Sequence, residues 1–279
     1  MRKRAVPDVW SRAWFRLAEG AVAALLLMLV LQAALGFDLA DSEFWRLFAF
    51  PTGNVAPIVR GLVGTLTYLG IVIPVGLGVG FLWSWARISR FRMISWPVGA
   101  VIELLRGVPP LVLVIFAAVF GSLLLRGVVP RPTEAAFLVA ALALALHSAA
   151  YQAEILRAGF QSVPQGQVEA ARAVGLSGTQ AMGRIILPQA LRLSLPPLAN
   201  EFSIAIKDTS LLAAIGATEL FAVGLEFGAR VPTSGELQWL FLVWLAVAAV
   251  YFVVTLAVTR GLRLLEDRIR VPGLEGVRT

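Results

Sequence analysis

Long apolar runs without a charged side chain constrain this chain more than any other feature. No Asp, Glu, Lys or Arg interrupts residues 61–86, 107–125, 135–153 or 239–258. A helix needs about 20 apolar residues to cross a hydrocarbon core of about 30 Å, where every backbone polar group must be paired internally. The four runs therefore predict transmembrane helices. The composition agrees, because 58% of the 279 residues are hydrophobic and only 15% are charged.

Two further segments predict spans with polar interruptions. The first, residues 20–35, is short and contains Gln32, and the second, residues 193–223, contains Glu201, Lys207, Asp208 and Glu219. The basic stretch before the first one also fits a signal peptide, but its length favours an uncleaved anchor. The prediction is six spans in an all-α membrane protein. The predicted chain has five parts: a cytoplasmic segment (1–19), an N-terminal transmembrane helix (20–36), an external linker (37–58), a transmembrane domain (59–260) and a cytoplasmic tail (261–279).

Basic residues orient these spans, because Lys and Arg flank membrane segments on the cytoplasmic side. Of the 24 Lys and Arg residues, eighteen lie in alternate flanking segments, five lie in the opposite loops, and Lys207 lies inside a span. Both termini are therefore predicted to be cytoplasmic. The net charge of +7 is spread over four such segments without interleaved aromatic residues, so membrane orientation explains it better than nucleic-acid binding.

Enzymatic chemistry has no recognisable site in this sequence. There is no GxxxxGK[ST] phosphate loop, no Ser-His-Asp arrangement, no pair of catalytic carboxylates, and neither a cysteine nor a metal-spaced histidine cluster. The cytoplasmic insertions are too short for a soluble catalytic domain. We therefore expect a non-enzymatic chain without a metal or cofactor of its own, and any nucleotide energy must come from another subunit.

One amphipathic segment, residues 160–190, is predicted to lie on the cytoplasmic side. Ser162 and Pro164 predict a helix start, and Gly175 suits a left-handed cap at its end. Ser177 and Gln180 have capping-box spacing and predict a second helix, which Pro188 is expected to disturb. Such short helices are unstable alone, so their apolar faces require a partner surface such as a groove on another protein.

At these residues the sequence resembles the inner-membrane permease subunits of bacterial ABC importers. Their cytoplasmic loop carries Glu-Ala-Ala, three residues, Gly, nine residues, Ile, one residue and Leu-Pro. Every position matches, since the chain has Glu169, Ala170, Ala171, Gly175, Ile185, Leu187 and Pro188. The resemblance implies a five-helix permease core preceded by one N-terminal helix, with this loop as the helix-turn-helix that docks in a cleft of the ATP-binding subunit.

Three stretches narrow the resemblance to permeases for polar amino acids, including the histidine, arginine, glutamine and glutamate importers. They are "ELLRGVPPLVLV", "AYQAEILRAGFQSVPQGQVEAARAVG" and "LPPLANEFSIAIKDTSLLAAIG". The resemblance implies an inner-membrane complex with two ATP-binding subunits that hold ATP and magnesium. It also implies a second permease subunit, identical or related, and an external substrate-binding protein. A related solute such as an opine or a sulfur compound is the nearest alternative substrate.

Polar residues near mid-membrane predict contact with a polar solute or bonds between helices. His147 and Lys207 lie about 21 and 22 Å into their helices from opposite faces, so they are expected to meet. Both interpretations stay open, as does an ion-coupled carrier or channel that uses these groups as a relay. The predicted pathway residues are His147, Ser148, Lys207, Asp208, Thr209 and Ser210.

Four charged residues are predicted near the cytoplasmic ends of spans three and four. They are Glu103 and Arg106 on one span, and Glu154 and Arg157 on the other. Pairing between the two sets would close an inner gate or simply neutralise buried charges, because an unpaired charge in a low-dielectric site is costly.

Overall fold

The computed structural model describes residues 22, 56–125, 132–230 and 237–269, and within these ranges every regular element is helical. The predicted segments 1–19 and 20–36, apart from residue 22, lie outside these ranges, as do most of the predicted linker and the end of the tail. The first long helix begins at Ala56, inside the predicted linker. The helices are α1 (Ala56–Arg87), α2 (Arg92–Gly107), α3 (Pro110–Leu124), α4 (Pro132–Gln161), α5 (Gln165–Ala173), α6 (Gly178–Ala181), α7 (Leu187–Asp208), α8 (Leu220–Arg230) and α9 (Leu237–Ile269).

Three described helices are long and apolar enough to cross a membrane unbroken. They are α1, the Thr133–Gln161 part of α4, and the Val243–Leu264 part of α9. Two bent pairs also pass the test of length and composition: α2 with α3, bent by 104°, and Gly178–Ile215 with Leu220–Ala229, bent by 47°. The described residues therefore hold three to five candidate spans, and the predicted N-terminal helix, 20–36, falls outside them apart from residue 22.

Helix α4 lies at the centre of the fold and packs most extensively against α1. Their backbones approach closely because small residues line the crossing, as is common between membrane helices. A Cβ atom added at Gly80 would stand 2.9 Å from the Cβ of Gln152 and 3.0 Å from the carbonyl oxygen of Ala149. The principal apolar cluster joins α1, α3, α4, α7 and the residues after α7; it consists of Val72, Val114, Ala118, Ala140, Leu144, Ala205, Leu212 and Ala217.

The predicted span at 107–125 is not one straight helix. Helix α2 ends at Gly107, Val108 and Pro109 are extended, and α3 has only 15 residues. Two consecutive prolines explain the break, because proline disfavours helical geometry in the residue before it and lacks the N–H that would continue the ladder. The apolar run predicted a membrane segment, but hydropathy alone did not predict that the helix axis changes direction within it.

The predicted span at 193–223 is also broken. Helix α7 ends at Asp208, a 3₁₀ helix covers Thr209–Ile215, and Gly216 turns the chain with a φ of 83°. The fully buried Glu219 then precedes α8, and its carboxylate accepts hydrogen bonds from the backbone N–H groups of Phe221 and Ala222 and from the Tyr251 hydroxyl. The Glu219 side chain therefore caps the N-terminus of α8.

Candidate functional site

Residues 160–190, which the sequence predicts to couple to an ATP-binding subunit and which we call the coupling segment, contain the predicted turn. Helix α5 ends at Ala173, and Gly175 has a φ of 82°. The Gly175 N–H donates to the Arg172 carbonyl at 2.9 Å, and the Leu176 N–H donates to the Ala171 carbonyl at 3.0 Å. This is the paired hydrogen-bond pattern of a Schellman motif, which requires a left-handed residue that glycine adopts without steric cost.

The second helix of the segment begins with the predicted capping box. The Gln180 N–H donates to the Ser177 hydroxyl at 3.3 Å, and the Ser177 N–H donates to the Gln180 side-chain oxygen at 2.9 Å. The regular α-helix ends earlier than expected, at Ala181, and the irregularity before Pro188 is a π-helical turn rather than an end of the helix. A π-helical turn at Met182–Ile186 precedes α7, so Pro188 occupies the first turn of α7, where a missing N–H is tolerated.

An apolar cluster anchors the coupling segment to the transmembrane helices. Phe160, Val163 and Ala190 are buried there, and side chains of α1 and the π-helical turn pack around them. The predicted helix start is confirmed at Pro164, which directly precedes α5. The role predicted for Ser162 is wrong, because its hydroxyl donates to the Ala158 carbonyl at 2.8 Å and α5 has no side-chain cap. Ser162 therefore belongs to the end of α4, which fixes the base of the segment.

The matching motif divides into packed and exposed residues. Ala171 is buried, and Ile185, Leu187 and Pro188 are half-buried, so these positions hold the two helices together. In contrast, Glu169, Ala170 and Gly175 are exposed on the same short stretch of chain. Val174 is 77% exposed and was not singled out from the sequence, although an apolar residue next to a glycine cap is a recognisable signal.

A second group of polar residues lies inside the helix bundle. The Ser148 hydroxyl donates to Oε1 of Glu201 at 2.8 Å, and Nε2 of Gln152 donates to the Ser148 hydroxyl at 2.9 Å. Glu201 is only 6% exposed. We call these three residues the polar cluster. Sequence reasoning named Ser148 but missed Gln152, whose spacing of four residues from Ser148 places both on one helix face.

His147 and the end of α7 approach each other from neighbouring helices. Nδ1 of His147 lies 2.9 Å from the Leu105 carbonyl oxygen, a hydrogen bond between α4 and α2. Its imidazole also interacts electrostatically with Asp208. Lys207 is exposed in this chain. The hydroxyls of Thr209 and Ser210 donate to the Ile206 and Lys207 carbonyls at the end of α7, each at 2.7 Å.

The four predicted gate charges do not pair across the two sets in the part of the chain that the structure describes. Glu154 pairs with Arg157 on its own helix at 2.7 Å and lies 3.7 Å from Arg87 of α1. The guanidinium of Arg106 lies 5.2 Å from the centroid of the Tyr151 ring. Glu103 is exposed on α2. Glu154 therefore joins α4 to α1, and Arg106 joins α2 to α4.

Within the described ranges, no three His, Cys, Asp or Glu side chains are grouped to hold a metal ion. The turn at Gly175 and the polar cluster are the two features to compare with known proteins. A family model described as "Binding-protein-dependent transport system inner membrane component" matches residues 72–271, which include both features. The chain belongs to this family. The family match therefore agrees with the resemblance that the motif around Gly175 indicated.

Curated relatives of this permease are amino-acid transport components. It is 31% identical to the L-cystine transport system permease protein of Bacillus subtilis over 86% of this chain and 94% of that protein. It is 35% identical to the glutamine transport system permease protein of Escherichia coli over 77% of this chain and 93% of that one. A nopaline transport permease of Agrobacterium fabrum is 34% identical over 72% and 83% of the two chains.

Solved structures give the same assignment of fold. A chain of an amino acid ABC transporter, whose crystal structure was determined with histidines, superposes with a TM-score of 0.67 at 30% identity, covering 82% of the permease and 99% of that chain. A chain of a bacterial alginate importer superposes with a TM-score of 0.62 at 15% identity, covering 94% and 98%. The permease is therefore a multi-pass membrane protein with the helical fold of ABC importer subunits.

Proposed function

We propose that this chain is the membrane subunit through which an ABC importer moves a polar amino acid into the cell. The exposed residues Glu169, Ala170, Val174 and Gly175 carry the proposal, because they form a helix end whose flanking chain packs against α1. A helix end of this kind fits a groove on another protein. The partner is an ATP-binding subunit that holds ATP and magnesium, so this chain needs no nucleotide site.

The proposed complex contains two permease subunits, identical or related, two ATP-binding subunits inside and a substrate-binding protein outside. This arrangement requires both termini in the cytoplasm, as the distribution of basic residues predicts. Membership of a binding-protein-dependent family favours it over the ion-coupled carrier, which would need no docking turn.

The substrate assignment rests on the polar cluster and on the relatives. A polar solute loses its water in the membrane, and buried hydrogen-bonding groups such as Ser148 and Glu201 replace it. Several relatives are named as glutamine permeases. Because other relatives are named as cystine and nopaline permeases, a sulfur compound and an opine are the alternative substrates. Selective stabilisation of the cognate binding protein in a thermal-shift screen would separate these substrates.

Transport by the purified complex in sealed vesicles tests the function. We expect uptake of the amino acid that binds the binding protein, only when ATP, the ATP-binding subunit and the binding protein are all present. Uptake by this chain alone, driven by an ion gradient, would contradict the proposal and support the carrier.

A further inference from the structure

An apolar groove of about 980 Å³ runs between α1, α4 and α7. Pro74, Leu77 and Phe81 line it from α1, and the fully buried Leu156 of α4 forms part of its floor. In the orientation that the basic residues predict, α1 runs towards the cytoplasm and α7 runs away from it, so the inner end of the groove lies near Pro188.

The groove matches one leaflet of a bilayer in length. Its lining residues on α7 extend from Pro188 to Leu198, which spans about 15 Å of helix. That is half of a hydrocarbon core of about 30 Å. The remaining lining residues of α7, Leu191 and Leu195, are apolar, so an occupant in contact with them must be apolar along its length.

One cation interrupts this apolar lining. Arg192 is half-buried and lies about a turn from the start of α7, on the cytoplasmic side of the groove. Among the described residues Arg192 has neither a hydrogen bond nor an ion pair. The Glu154 carboxylate of α4 pairs with Arg157 and Arg87 instead. An arginine at this depth carries its charge to the headgroup level, where phosphate is the available anion.

We propose that the groove binds an anionic phospholipid of the cytoplasmic leaflet, with its phosphate paired to Arg192 and an acyl chain along α1 and α7. The single charge at one end and the apolar lining along the rest match the two parts of such a lipid. A guanidinium and a phosphate form strong bidentate hydrogen bonds, whereas a zwitterionic headgroup offers the same phosphate beside a competing cation. The site does not depend on which solute the importer carries.

Two matched pairs of variants test the site in the full-length chain. Arg192→Gln removes the charge inside the groove, and Arg263→Gln removes an exposed charge of α9 outside it. Gly78→Leu fills the groove, because a Cβ at Gly78 meets open space within its lining. Gly70→Leu makes the same change on α1 where a Cβ also meets open space, away from the groove.

The readout is thermal unfolding in detergent, titrated with phosphatidylglycerol or with phosphatidylcholine of the same acyl chains. We expect phosphatidylglycerol to stabilise the native protein at lower concentration, and Arg192→Gln to weaken its apparent affinity about fivefold, as for one basic contact. Gly78→Leu should abolish stabilisation by both lipids. Arg263→Gln and Gly70→Leu should titrate as the native chain does.

Two results would overturn the proposal. An unchanged preference for phosphatidylglycerol in Arg192→Gln would show that this guanidinium binds no headgroup. If Gly78→Leu instead leaves both lipid titrations unchanged and lowers the dimer fraction in light scattering, a second permease subunit occupies the groove.

Discussion

Replacing Gly175 by alanine tests whether the coupling segment depends on the left-handed backbone conformation of this residue. The residue has a φ of 82°, and a Cβ added there has no neighbour within 4 Å. Alanine therefore introduces no clash with surrounding atoms, and only the left-handed conformation is penalised, by about 1–2 kcal/mol. Asparagine tolerates this conformation better, so Gly175→Asn should restore much of the loss.

The expected effect is on the affinity for the ATP-binding subunit. A penalty of 1–2 kcal/mol changes a conformational equilibrium by a factor of about 5–30. Helix α5 has only nine residues and is marginal without its cap, so the docking conformation becomes a minor state in Gly175→Ala. The apparent dissociation constant rises as that state becomes rarer, by up to about 5–30-fold.

The assay is ATPase activity stimulated by the binding protein, measured while the ATP-binding subunit is titrated against membranes of equal permease content. Gly166→Ala is the matched control, because its Cβ also meets open space but its φ is not positive. Equal affinities for Gly175→Ala and Gly166→Ala would refute the backbone argument. An equally damaged Gly175→Asn would show that the turn needs glycine for another reason.

Other substitutions separate coupling, pathway and packing. Glu169→Lys should insert normally but lose stimulated ATPase activity, and full stimulation at normal membrane levels would remove the residue from the docking surface. His147→Leu should lower uptake while sparing membrane level and ATPase coupling if His147 lines the pathway, and unimpaired uptake would reject that contact. Ser148→Ala leaves the buried Glu201 without its donor and should lower the free energy of unfolding by about 1–3 kcal/mol in denaturant titrations. Gly80→Ala should cost a similar amount, about 1–3 kcal/mol, because its Cβ meets the Ala149 carbonyl; an unchanged unfolding midpoint would show that α1 and α4 can separate freely.

Local features of the fold could be predicted from the sequence. The Ser177–Gln180 capping box and the left-handed Gly175 agree with the structure down to individual hydrogen bonds, because each depends on residues a few positions apart. The membrane helices could also be predicted, since hydropathy reports burial in lipid directly. The break after Gly107 was missed although Pro109 and Pro110 signal it, because an apolar run alone has no direction.

Contacts between distant residues could not be predicted in this way. Ser148 and Glu201 are 53 positions apart, and their hydrogen bond depends on how α4 and α7 are rotated about their axes. The pairing of Glu154 with Arg87 instead of Arg106 depends on the same rotations, which no pattern within one helix specifies. The π-helical turn before Pro188 combines the missing proline N–H with the packing of the turn against the apolar cluster. That packing cannot be read from the local sequence, so the turn could not be predicted.

The unbroken backbone from Gly178 to Asp208 gives the molecule a mechanical property. The helix that begins at the capping box, the π-helical turn and α7 form one continuous helical rod, so the turn at Gly175 is joined directly to the helix that carries Glu201 of the polar cluster. Glu201 lies about 21 Å along this rod from Leu187. A rotation of the rod by about 10° about Leu187 would therefore displace Glu201 by about 4 Å. That displacement exceeds what the hydrogen bond to Ser148 can span, so a small swing of the rod is enough to part the two side chains.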